Sequence, residues 1–243
     1  MSRVRFPFAK QRVLVLGCVA ALGAASLAAA KSGVEKRLDA AAAVLSETLD
    51  SVDQGIPASL LDRAHCVGVF PSVWKGALLI GGRFGKGVVT CRVAESSQNS
   101  SWSAPVNFRI EGGNIGFQVG GNQTDLVLLF LGERAIPKLL RTGFTIGLDG
   151  AAAAGPVGRT AAGQTDALLG VEIVTYSRSR GLFAGVSVDG ATLRPAHKAN
   201  RVLYEGWSPY PKEILEGRHP ATPAAQPLLD VLNKHSPERR RSD

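Results

Sequence analysis

The sequence predicts an α+β domain: a mainly antiparallel β-sheet system preceded by an amphipathic helix and closed by short helices. Three observations carry this reading. Glycine supplies 28 of the 243 residues and aromatics only 6%, and the middle of the chain alternates Val-, Leu- and Ile-rich runs with glycines. That texture suits strands and tight turns better than a helical bundle. Apolar residues recur at helical spacing just before the first of these runs. The closing segment contains three stretches that each open on proline. Hydrophobic residues at 45% and charged residues at 20% exclude a disordered chain. Three cysteines exclude a disulfide-dense miniprotein, and four histidines leave little material for a metal centre.

The first element reads as an address. Arg3, Arg5, Lys10 and Arg12 stand in residues 1–30 with no acid, so half of the formal net charge of +8 lies there. Val13–Ala30 carries no charge and ends on Ala28-Ala29-Ala30 before Lys31 restores polarity. This is the three-part pattern of a secretory signal peptide, and an uncleaved anchor is the alternative. Leu16-Gly17-Cys18 faintly resembles a lipoprotein cleavage site, but its apolar stretch follows the cysteine instead of preceding it. The expectation is an exported, periplasmic or envelope protein in peripheral contact with a membrane. Residues 31–236 form one domain with a core at 34–206, and residues 237–243 are a charged tail.

Residues 33–52 read as an amphipathic helix, because Val34, Leu38, Ala42, Leu45, Leu49 and Val52 share one face. Pro57–Ala64 reads as a second, short helix. Strands are expected at Val67–Phe70, Ala77–Arg83, Gly87–Val93, Val106–Glu111, Ile115–Gly120 and Asp125–Leu131. Gly85-Lys86, Gly112-Gly113-Asn114 and Gly120-Gly121-Asn122 read as turns between them. Ala94–Ser101 reads as a polar loop and Glu133–Arg141 as a short helix. Strands resume at Thr142–Leu148, Ala167–Ser177 and Leu182–Asp189. Helices are expected at Pro195–Tyr204, Pro211–Glu216 and Pro223–Lys234. In an exported chain Cys66 and Cys91 would meet an oxidising compartment, and neighbouring strands could bridge them. Such a bridge closes a loop of about 25 residues and is worth roughly 3 kcal/mol in the chain-entropy model.

The search for catalytic chemistry is mostly negative. Gly81-Gly82-Arg83-Phe84-Gly85-Lys86-Gly87 has too few residues between its glycines for a phosphate loop, and no Ser or Thr follows the lysine. His65, His197, His219 and His235 have no metal-ligand spacing. No serine sits in a G-x-S-x-G elbow. The reading is a non-enzyme with no cofactor and no metal. The mildly basic remainder suits an anionic surface and does not call for nucleic acid.

Binding residues are the remaining candidates. Arg178 and Arg180 stand at alternate positions of one run and would project from one strand face. With Lys75, Arg83 and Lys86 they could make a basic patch for phosphate headgroups. Each of them could equally be a solvated strand end or half of a structural ion pair. Lys36 and Arg37 cluster at the start of the first helix, where Val34 and Leu38 could dip into a bilayer or pack on the sheet.

An ordered series of motifs resembles a known family. It runs through Ala64-His65-Cys66-Val67-Gly68-Val69-Phe70-Pro71-Ser72, Gly82-Arg83-Phe84-Gly85-Lys86-Gly87, Trp102-Ser103-Ala104-Pro105 and Gly112-Gly113-Asn114-Ile115-Gly116-Phe117-Gln118. It continues through Ala153-Ala154-Gly155-Pro156-Val157-Gly158-Arg159 and Tyr176-Ser177-Arg178-Ser179-Arg180-Gly181. The series resembles the SYLF domain in its exported bacterial form. The resemblance implies lipid binding, with phosphoinositides and, in some eukaryotic relatives, actin filaments as ligands. It puts membrane contact on the first helix, hence on Lys36 and Arg37 with Val34 and Leu38. It supplies no catalytic residues. The sequence differs from those relatives in its signal-peptide-like start, in lacking an SH3-type module and in Glu35 amid the helix's cations. Export makes actin an implausible ligand and favours an anionic phospholipid or membrane surface. A soluble carrier of an apolar ligand and a protein-binding scaffold in the envelope are the alternatives. A roomy apolar cavity would mark the carrier, and a solid core with an exterior basic patch would mark surface binding.

Overall fold

A computed structural model describes residues 32–51, 55–77, 80–93, 102–115, 120–132, 134–141, 143–156, 170–179, 182–206 and 209–236. Residues 1–31, Cys18 among them, residues 94–101, Arg180 and residues 237–243 lie outside the described residues, and with them the expected signal peptide, polar loop and charged tail.

Helix α1 spans Gly33–Asp50. Ser32 caps it: the Glu35 amide donates to the Ser32 hydroxyl at 3.2 Å, and the Ser32 amide donates to the Glu35 carboxylate at 2.6 Å. This capping box satisfies two amides that the first turn leaves without partners. Glu35 is therefore a helix-start residue rather than an intruder among the cations. Helix α2 is Ala58–Arg63.

Four long strands follow: β1 Cys66–Ala77, β2 Ile80–Cys91, β3 Val106–Ile115 and β4 Gly120–Phe130. Two sequence expectations are corrected here. The glycine groups at 85–86, 112–114 and 120–122 lie inside strands, not in turns. At Gly85 glycine serves close approach: a Cβ there would stand 2.6 Å from Val73 Cγ2 and 3.1 Å from Ile110 Cγ2. In addition, β1 runs on through Pro71. The register shifts between Val69 and Trp74, and Ser72 takes a φ of 57°, the bulge that lets a proline sit within a strand.

The remaining elements are α3 Ala135–Leu139, β5 Phe144–Thr145, β6 Ala152–Ala154, β7 Ile173–Ser179, β8 Leu182–Gly185 and β9 Thr192–Pro195. Helices α4 His197–Leu203, α5 Pro211–Leu215 and α6 Gln226–His235 close the chain, the last preceded by a 3₁₀ turn at Pro223–Ala225. Strands β6 and β9 are additions to the sequence reading. The β9 segment is four residues long and ends on proline, too short for alternation to reveal it.

Among the described residues the strands form one nine-stranded sheet in the order β5-β9-β3-β2-β1-β4-β7-β6, with β8 on β7. All pairs are antiparallel except β6–β7, so the sheet is mixed rather than purely antiparallel. Cys66 and Cys91 face each other across β1 and β2 and are joined by a disulfide. Helix α1 packs its buried face against α6 and against β1 and β2. Phe70, Phe108, Phe144, Trp102 and Tyr176 are fully buried in a single core cluster.

Candidate functional site

Alternation along the strands puts every second residue of β2, β3 and β9 on the outer face of the sheet. Lys86 is the direct cross-strand partner of Arg109, and Arg109 of Arg194. Three cations therefore stand side by side on adjacent strands, where like charges disfavour the pairing. Glu111, two residues along β3, binds Arg109 through its Oε1 at 2.8 Å from Nε. Among the described residues no carboxylate lies within ion-pair distance of Lys86 or Arg194.

The row forms one side of a groove of about 850 Å³. Arg37 of α1 enters from one end. Its Nη1 donates to Asn107 Oδ1 at 2.8 Å. The Asn107 amide donates in turn to Asn200 Oδ1 at 2.6 Å, and Asn200 Nδ2 donates to the Asn107 carbonyl at 3.3 Å. This buried chain ties α1, β3 and α4 together at the groove. Burial pushes the Arg37 guanidinium below its usual range. Arg141 follows α3, Lys198 stands on the first turn of α4, and Tyr210 and Lys212 stand at the start of α5. In all, seven lysines and arginines line the groove against one carboxylate. Such a lining is electrostatically suited to anions, and its arginines offer forked donors of the geometry that fits phosphate. Glu111 and His197 are the two other titratable side chains besides Tyr210 in the lining. Among the described residues no cluster of His, Cys, Asp and Glu could hold a metal ion, and no helix is long and apolar enough to cross a membrane.

The residues singled out from the sequence separate into several places. Arg37 and Lys86 meet in the groove. Lys36 is exposed on α1 and does not line it. Lys75 and Arg83 are cross-strand partners, and Arg83 lies an odd number of residues from Lys86, so the two project from the face opposite to Lys86. Burial, and then the neighbouring Arg83, push the Lys75 ammonium below its usual range. Burial lowers the Arg83 guanidinium too, against the opposing pull of Asp189. Arg178 is the half of a structural ion pair: its Nη1 lies 2.5 Å from Glu47 Oε2 and its Nε 3.7 Å from Asp125 Oδ2. Val34 is only 8% exposed and Leu38 is fully buried. The helix face that carries them packs in the core, so neither side chain can serve as the bilayer contact expected of it. Arg109, Arg141, Arg194, Lys198 and Lys212 were not singled out from the sequence. They come from five separate segments, and only strand register and helix packing bring them together.

A second cavity of about 470 Å³ lies between Phe130, Phe144 and Ile173. Lys138 crosses it to Glu172 at 2.5 Å, which gives it a salt-bridged rim instead of a continuous apolar wall.

The family described as "Ysc84: Las17-binding protein actin regulator" matches residues 111–235. The chain belongs to the Ysc84, or SYLF, family. Protein YSC84 of Saccharomyces cerevisiae is 37% identical over 187 residues, 76% of this chain and 39% of that protein. An SH3 domain-containing protein of Schizosaccharomyces pombe is 36% identical over 181 residues, 73% of this chain and 41% of its own length. SH3 domain-containing YSC84-like protein 1 of Rattus norvegicus is 34% identical over 183 residues, 74% of this chain and 52% of that protein. The chain thus spans between about two-fifths and one-half of the curated relatives it matches. The family description speaks of binding and regulating other proteins, not of a reaction. The Ysc84 match includes β3 from Glu111 onward, β9 and the three closing helices, and so takes in Arg194, Lys198 and Lys212.

Proposed function

We propose that this Ysc84-family chain binds anionic phospholipid at a membrane surface, without chemistry of its own, by holding phosphorylated headgroups in the basic groove. The observation that carries this reading is the row Lys86–Arg109–Arg194, three cross-strand cations that share one carboxylate. A fold keeps such a row at a cost in stability unless an anion offsets it. The groove's volume of about 850 Å³ and its seven cations suit a headgroup with more than one anionic oxygen cluster, phosphoinositides included. In a bacterial envelope the abundant anionic phospholipids are the more economical ligands. The signal-peptide pattern of residues 1–30 and the Cys66–Cys91 disulfide support export to an oxidising compartment, where actin would not be met. The buried aromatic core, and the Lys138–Glu172 bridge across the second cavity, favour surface binding over the carriage of an apolar ligand inside the sheet.

The test is co-sedimentation of the mature chain with vesicles of phosphatidylglycerol mixed into phosphatidylcholine, over a range of ionic strength. Binding should require the anionic lipid and weaken steeply as salt screens the groove. Equal binding to pure phosphatidylcholine, or none to either, sinks the reading.

A further inference from the structure

Beside the cation row lies an aromatic row. Trp74 of β1 and Phe84 of β2 are direct cross-strand partners on the same outer face, 53% and 48% exposed. Tyr210, 75% exposed, stands on the helical wall of the groove. Among the described residues the exposed large hydrophobics include three aromatics, and all three are at or beside this groove. The others, Leu148, Leu182 and Val202, are aliphatic and lie elsewhere in the chain. Scattered exposed apolar residues are ordinary on a protein surface, whereas a cluster rimmed by charge marks an interaction site.

The local sequence holds the indole in place. Trp74 lies across Gly76, where a Cβ would collide with the ring. The bulge before Trp74 shifts the β1–β2 register by one residue, so that Trp74 meets Phe84. Glu111 continues the aromatic row on β3, with its carboxylate turned to Arg109.

The spacing of the two rows fits an amphiphile. Phe84 precedes Lys86 by two residues on β2, and Glu111 follows Arg109 by two on β3. Two residues of strand span about 7 Å. The aromatic row is thus displaced toward the end where β1 leads into β2 and β3 into β4. With this outer face laid against a bilayer, phosphates meet the cation row while the rings, about 7 Å along the strands, meet the neighbouring acyl boundary. Interfacial segments bury their apolar groups about 5–10 Å into that boundary, and aromatic rings favour it. A second copy of the chain is a poor occupant. A two-fold contact would set this face against itself and bring the cation row onto its like.

We propose that Trp74 and Phe84, with Tyr210 on the facing wall, enter the headgroup–acyl boundary of an anionic bilayer while the cation row holds the phosphates. This inference rests on the headgroup reading and adds that the ligand is an intact lipid surface, not a free phosphate. It moves the apolar contact from the first helix to the β1–β2 pair.

The test uses phosphatidylglycerol–phosphatidylcholine vesicles whose acyl chains are brominated close to the glycerol, so that they quench nearby indoles. The wild-type fluorescence should be quenched on binding. The Trp74→Phe variant, which retains Trp102 and Trp207, should lose most of that quenching per vesicle-bound molecule. The double variant Trp74→Ser/Phe84→Ser should bind at least tenfold more weakly while remaining folded at the assay temperature, because about half of each ring is exposed. Sedimentation of the wild type without Trp74-dependent quenching, or undiminished binding of the double variant, overturns the aromatic anchor and leaves the headgroup reading standing. Failure to sediment with any anionic vesicle overturns both.

Discussion

The two flanks of the sheet treat arginine in opposite ways. On the β4–β7 flank, Arg178 stands directly across from Asp125 and also reaches Glu47 on α1. Asp125 in turn accepts from the Ser72 amide at 2.8 Å, which ties the bulge of β1 into the same cluster. On the β2–β3–β9 flank, Arg109 stands directly between Lys86 and Arg194. The cross-strand geometry is the same and the sign of the neighbour is reversed. An arginine matched by carboxylates has its Coulomb energy satisfied inside the molecule and serves the fold. A row of cations matched by one carboxylate leaves its Coulomb energy available to a ligand. Local charge balance, not the presence of arginine, separates scaffold from site.

The largest effect expected from this difference is on the unbalanced flank. Replacing Lys86, Arg109 and Arg194 together by Gln removes three cations, each worth about 1 kcal/mol near an anionic surface. Vesicle affinity should fall about 100-fold at low salt. The same variant should melt no lower than the wild type, because relieving like-charge pairs stabilises the sheet by up to about 1 kcal/mol. Co-sedimentation and calorimetry read the two effects separately. A lowered melting point with unchanged affinity would assign the row to the scaffold.

Arg178→Ala should do the reverse. It leaves the half-buried Asp125 and the exposed Glu47 without their cation, at a cost of about 1–2 kcal/mol in stability. Vesicle binding by the folded fraction should stay within twofold. Denaturant unfolding at fixed pH measures the first and co-sedimentation below the midpoint the second. Loss of binding without loss of stability would return Arg178 to the site.

How much of this was legible beforehand follows from the range of the interactions concerned. The face of α1 was legible because Val34, Leu38, Ala42 and Leu45 repeat at a local period and are buried together. The disulfide was legible because its two cysteines sit in apolar runs of strand character, which the fold pairs directly. The glycine groups misled because glycine has two uses. Its tolerance of positive φ marks turns, but Gly85, inside β2, is needed for its missing side chain. The cation row was not legible. Lys86, Arg109 and Arg194 lie on three strands whose register is fixed by hydrogen bonds between distant segments, and a slip of one residue would send any of them to the other face. The membrane-facing role given to Val34 and Leu38 failed for a related reason. An apolar stripe shows that a helix buries a face, but not against what. Here α6 and the sheet claim it.

Each flank also holds one deeply buried tyrosine, and the pair gives a smaller test. Tyr176 on β7 donates to the Pro156 carbonyl at 3.1 Å, and Tyr204, just after α4, donates to the Pro105 carbonyl at 2.8 Å. Burial pushes both hydroxyls well above the usual tyrosine range. In the unfolded chain they ionise near pH 10, while in the fold they stay neutral. Their contribution is therefore intact below about pH 10 and is lost as pH rises toward the raised folded values. Phe at either position should cost about 1 kcal/mol at neutral pH for the lost hydrogen bond and should flatten the alkaline limb of the stability curve. If the two flanks unfold as one unit, both substitutions shift a single transition equally, and the unmatched cations and the matched ones share one cooperative scaffold. A separate alkaline transition at the Tyr204 side would mean that the groove opens on its own.

The smallest effect separates two adjacent residues. Lys36 and Arg37 are neighbours in sequence but point about 100° apart around α1. Arg37 is held by Asn107 at the end of the groove, whereas Lys36 is exposed and outside its lining. Lys36→Glu should change vesicle affinity less than twofold if the groove, and not the exposed side of α1, meets the membrane. Arg37→Gln should weaken it several-fold, because a groove cation is lost. If Lys36→Glu proves the more damaging of the two, the bilayer contacts α1 after all, and the anionic surface meets a face of the molecule other than the one on which the unbalanced cations converge.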